Sequence, residues 1–216
     1  MKKYFFLFLS VILSCQNNPQ KATKSATSSG ETIISKSPYK CNYDYQKKRC
    51  KELFQENKKN STSFSEKKLI AYISDSLLPC WYGTPWDFNG ITQQPQTGKI
   101  ACGYFVTTVL QDAGMPIERV KLAQCASEEM IGATCTDISK YSNKPLENFI
   151  EEVQKKGPGL YITGLDNHTG FILNDEKEIY FIHASFYSTK CTVKEKAIRS
   201  AVLRNSKYRV LGKVKF

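Results

Sequence analysis

The spacing of apolar residues changes at Gly159, and that change limits the chain to folds that keep helices and strands in separate stretches. Upstream, apolar positions recur at helical intervals from Tyr43 to Asn57 and from Ser65 to Leu78, with Ser65 as an N-cap. Cys102, Phe105, Val106, Val109, Leu110 and Ala113 keep to one helix face until Gly114 and Pro116 stop it. Glu118 to Met130 and Pro145 to Lys156 follow as further helical segments. Downstream, GLYITGL, HTGFILN, EIYFIHAS, AIRSAVLR and KYRVLGKVKF read as strands. Helices first and strands afterwards predict an α+β domain with an antiparallel sheet.

The second and third of these strands carry the chain's two histidines. A hairpin turning at Asp175 and Glu176 sets Ile172 against Ile179, Gly170 against Phe181 and His168 against His183; a four-residue loop, Asn174 to Lys177, keeps the same pairs. Opposed Cβ atoms lie about 4.5–5.5 Å apart, so the two imidazoles can hydrogen-bond. Cys102 opens its helix, where the positive end of the macrodipole favours a thiolate and a neighbouring histidine accepts the proton. With that helix packed on the histidine face of the sheet, Cys102 is the candidate nucleophile, His168 the general base and His183 the group that orients it. The preceding CWYGTPWDFNGITQQPQTGK is a long loop of the kind that carries function. In it, Trp81, Tyr82 and Trp86 are candidates for one wall of a substrate groove, with Asp87 and Asn89 as polar contacts.

The opening MKKYFFLFLSVILSC joins two lysines to an apolar run from Phe5 to Leu13, too short for a mature membrane span and suited to an export signal over residues 1–14. ILSC resembles a bacterial lipobox, which makes Cys15 the expected lipidation site and the chain a lipid-anchored protein of the cell envelope. Residues 15–40 are polar and nearly free of aromatics, a tether with a reach of roughly 25–30 Å. Residues 41–216 remain as a single domain, expected to act as a monomer.

A formal charge of +11 draws an exported protein towards anionic polymers such as cell wall or lipid head groups. The lysines are scattered rather than striped with aromatics, which together with export argues against nucleic acid. Cys41, Cys50, Cys80, Cys125, Cys135 and Cys191 are available for disulfides in an oxidising compartment; Cys41 with Cys50 and Cys125 with Cys135 are the simplest pairs, and sequence does not choose. Metal-ligand spacings such as CxxC are missing from the sequence, and no metal or cofactor is expected.

The order of motifs resembles the NlpC family of bacterial cell-wall cysteine peptidases, whose domain is papain-like. GTPWDFNG (Gly83 to Gly90) matches the family's turn, ACGYFV its nucleophile motif at Cys102, HTGFIL its histidine motif at His168, and FIHAS its polar third residue at His183. The resemblance spans roughly Leu69 to Ser185 and departs from the family at Ala101, where an aspartate is usual, and at Gly103 and Tyr104, where a serine-glycine pair is usual. It implies attack of the Cys102 thiolate on an amide carbonyl, a thioester intermediate, and an oxyanion met by backbone N–H groups at the helix start. The implied substrate is a peptidoglycan stem peptide, cut at a γ-D-glutamyl to diamino-acid bond. An N-acetylmuramoyl-alanine amidase with the same three residues, a peptidyl transferase, and a non-catalytic surface lipoprotein that binds cell wall are the other readings.

Overall fold

The computed structural model describes residues 33–37 and 40–216; Cys15 and the export signal lie outside the described residues. Helix α1 (Tyr43–Asn60) begins where the Asn42 side chain accepts the Tyr45 N–H. Helix α2 (Ser63–Tyr72) is started by a reciprocal cap between Thr62 and Ser65, so Ser65 answers the cap rather than forming it. The helix widens through a π-turn (Ile73–Leu77) and then tightens into a 3-10 turn (Leu78–Trp81), which brings Cys80 to a disulfide with Cys41. That bond corrects the simplest pairing: Cys50 sits well inside α1 with its thiol buried, and Cys125 and Cys135 are both free.

Helices α3 (Cys102–Asp112), α4 (Arg119–Gln124) and α5 (Ser127–Thr134) complete the first group. The last two replace one predicted helix, because Cys125 is extended and breaks it. Then come β1 (Cys135–Ser142), α6 (Leu146–Lys156), β2 (Gly159–Leu165), β3 (Thr169–Asn174), β4 (Ile179–Ala184), β5 (Thr192–Lys196), α7 (Ala201–Asn205) and β6 (Tyr208–Val214). The strands form one antiparallel sheet in the order β1-β6-β2-β3-β4-β5, so the protein is α+β. AIRSAVLR is not a strand: Ser200 accepts the Leu203 N–H and caps α7 instead.

Both faces of the sheet are covered. On one, Phe171, Leu173 and Ile182 meet α1 to α5, along an edge-to-face run of rings from Tyr43 through Trp81 and Phe105 to Phe171. On the other, Ile172, Phe181 and Leu211 meet α6 and α7 through Phe149, Val153 and Leu203. The outer edge of β5 is also occupied. Gly83 and Thr84 exchange backbone bonds with Thr192, and Ile34 exchanges two with Lys194 at 2.8 and 3.0 Å. Sheet-bound backbone therefore starts inside the stretch read as tether.

The β3–β4 hairpin pairs Ile172 with Phe181 and Asn174 with Ile179, leaving Asp175 to Glu178 as the loop. This is two residues out of the predicted register. Asn174 stays in the ladder and its side chain accepts the Glu176 N–H, while Asp175 accepts from Lys177 and Glu178. A shift of two preserves which face each side chain takes.

Candidate active site

The loop ahead of α3 is held on both sides. Trp86 N–H donates to Lys190, Ile100 N–H to Pro85 and Ala101 N–H to Gly90, at 2.8–2.9 Å. Gly90 is obligatory in this arrangement, because a β-carbon there would lie 2.5 Å from Ile100 N. Ala101 takes the N-cap position with extended backbone and no side-chain cap, so Cys102 is the first helical residue. Backbone N–H groups of Thr169, Gly103 and Cys102 reach its sulfur and favour the thiolate. Burial outweighs them and holds the thiol above the ordinary cysteine range.

The departures at 103 and 104 have physical reasons. A β-carbon on Gly103 would overlap the Ala123 carbonyl oxygen, so the glycine lets α4 close against the helix start. Tyr104 is clamped between Arg119, whose guanidinium lies 4.8 Å from the ring centre, and Gln124, which donates to its hydroxyl at 3.0 Å. Arg119 is buried and also donates to Thr108 Oγ1 at 2.7 Å and to the carbonyls of Ile91 and Thr92 at 2.8 and 3.1 Å. It ties the cleft loop to α3.

Helix α3 does not pack on the histidine face. Phe105 meets Phe171, whereas His183 stacks on Phe181 on the opposite face, ring centres 4.0 Å apart. Cys102 and His168 come to the same cleft because both lie at an end: Cys102 at the start of α3, and His168 just before β3, where Leu165 N–H bonds its carbonyl across a two-residue turn. Both line one cleft of about 620 Å³.

His168 and His183 sit diagonally rather than directly opposed, and Gly170 faces His183 instead. His168 Nε2 is 2.8 Å from His183 Nδ1, and His183 Nε2 is 3.2 Å from Glu195 Oε1. Glu195 lies on β5 opposite Phe181, so this step is diagonal as well. A carboxylate accepts only, which puts a proton on His183 Nε2 and a lone pair on Nδ1. His168 then donates through Nε2 and keeps a lone pair on Nδ1. Burial, with repulsion between the two protonated rings second, holds the His168 imidazole well below the usual histidine range; burial also lowers His183, against the pull of Glu195.

Among the residues expected in a groove, Trp86 and Asn89 line the cleft. Trp81 and Tyr82 do not: both are core, Trp81 Nε1 donating to Tyr43 at 2.8 Å, because the 3-10 turn and the Cys80 disulfide aim them inward. Asp87 turns away to pair with Lys99 at 3.0 Å and to accept the Asn89 N–H. Sequence reading places Tyr104 near the nucleophile but does not single out Phe88, Ile91, Gln124, Asn167 and Phe186 in the lining, nor Glu195 behind it. No protein-family model and no curated protein matches the sequence.

Proposed function

We propose that the protein is a cysteine hydrolase that cleaves an amide bond in a peptidoglycan stem peptide, as a lipid-anchored protein of the bacterial envelope. The observation that carries this reading is the hydrogen-bonded run His168, His183, Glu195, whose outer end opens into the cleft that Cys102 also lines. The substrate assignment rests on the motif order that resembles the NlpC family, with a papain-like arrangement of helix and sheet. An N-acetylmuramoyl-alanine amidase would use the same residues.

In this mechanism the Cys102 thiol gives its proton to His168 Nδ1 as sulfur attacks the carbonyl carbon. The tetrahedral oxyanion is met by backbone N–H groups at the start of α3, Cys102 and Gly103 being nearest the sulfur. Collapse breaks the C–N bond, and His168 returns the proton to the leaving amine. A water then attacks the thioester, giving its proton to His168; the acid leaves and the thiol is restored. Because burial raises the thiol and lowers the imidazole, the resting pair is neutral and the proton moves as the bond forms.

The test is digestion of purified peptidoglycan by the full chain beside Cys102→Ala, with products resolved by mass spectrometry. Fragments released by the wild type alone support the hydrolase and identify its bond. Identical traces across several wall types refute it.

A further inference from the structure

The cleft around Cys102 is walled by the rings of Trp86, Phe88, Tyr104 and Phe186 and fringed by the carboxamides of Asn89, Gln124 and Asn167. No Asp, Glu, Lys or Arg is among the described residues that line it. Several charged groups on the adjoining segments are committed elsewhere. Asp87 pairs with Lys99, Arg119 is spent behind Tyr104 and on the loop carbonyls, and Asp166 accepts the N–H groups of Lys207 and Tyr208. On a chain of charge +11, a neutral cleft is a local feature that composition does not supply.

We infer that this site takes substrates whose groups flanking the scissile amide carry no formal charge, an inference that rests on the hydrolase reading. A carboxylate or ammonium entering here gives up hydration and meets no ion partner. Carboxamides both donate and accept, and so match peptide groups and primary amides; the rings cover apolar surface. Stem-peptide junctions differ in just this respect. The lactoyl-alanine amide is flanked by an ether-bearing acyl group and a methyl, whereas a γ-glutamyl amide carries a neighbouring carboxylate unless that group is amidated. The cleft suits the first junction, and the second only in its amidated form.

Two measurements on the full chain test this. Matched muramoyl peptides, carboxylate against carboxamide beside the cleaved bond, are compared by kcat/KM; the carboxamide is expected to lead by about tenfold or more. Parity, or preference for the carboxylate, overturns the inference. Independently of turnover, Cys102 is alkylated with iodoacetamide or iodoacetate, sulfur displacing iodide in each, and the rate ratio is read on the Cys102 peptide against N-acetylcysteine. The neutral reagent should be favoured by about tenfold beyond the free thiol, and Gln124→Lys should narrow the gap. Equal relative rates overturn the inference. Uncleaved peptides with the alkylation preference intact would instead defeat the hydrolase reading and leave the neutral site standing.

Discussion

Gly170 and His183 face each other across β3 and β4 with no room for a β-carbon: one added to Gly170 would stand 2.7 Å from His183 Cβ and 2.7 Å from the Phe181 ring. The His183 β-carbon and the edge of the Phe181 ring occupy the space that the missing side chain leaves. Gly170→Ala is therefore expected to cost about 1–3 kcal/mol through overpacking and to push His183 off His168. Chemical denaturation reads the first effect and hydrolysis the second. A variant with wild-type stability and activity would show that the hairpin yields there.

Glu195 sets the polarity of the histidine pair. Glu195→Leu leaves the His183 Nε2 proton without its acceptor and is expected to lower kcat by about 10²-fold while the fold persists. Glu195→Gln keeps an acceptor oxygen but removes the charge that raises the His183 pKa. Its loss should be smaller, with the acid limb of the pH–rate profile displaced to lower pH. An unmoved limb would reduce Glu195 to a structural partner.

Burial raises the Cys102 thiol and lowers His168. Thiolate therefore accumulates only as pH rises beyond the ordinary thiol range, and alkylation of Cys102 should climb through alkaline pH with no plateau near neutrality. An acid-shifted plateau, as from a preformed thiolate–imidazolium pair, would contradict the neutral resting state. His168→Ala should leave the alkaline rise in place while abolishing hydrolysis.

Arg119 binds the cleft loop through two carbonyls while stacking on Tyr104. Arg119→Met orphans those carbonyls and removes the donor to Thr108 Oγ1, whose hydroxyl still donates to the Tyr104 carbonyl, an expected loss of about 1–3 kcal/mol. Arg119→Lys should recover little, because one ammonium cannot span the same partners. Thermal unfolding of the two variants decides the matter.

Much of this was legible in the sequence, and what was not has physical causes. The periodicity of α1 and α3 and the apolar runs of β2 to β4 are signals of burial, and they stand in the structure. The hairpin register was missed because Asn174 can end either a strand or a loop; its side chain settles the question by bonding to Glu176. Strands β1 and β5 are edge or near-edge strands with charged, partly exposed positions, which apolar periodicity does not detect. Glu195 went unseen for that reason, since its role depends on a strand the pattern does not reveal. Proximity to the loop puts Trp81 and Tyr82 in the groove on sequence alone, and only the turn of the backbone at Leu78–Trp81 sends them inward.

Ile34 stands in for a missing neighbour of β5, holding Lys194 on the strand that also carries Glu195. A shortened chain starting at Ser37 would strip that cover and leave open N–H and C=O groups, a template for joining to another molecule's sheet. Such a preparation is expected to self-associate more readily than the full chain, so the boundary for expression belongs upstream of Ile33.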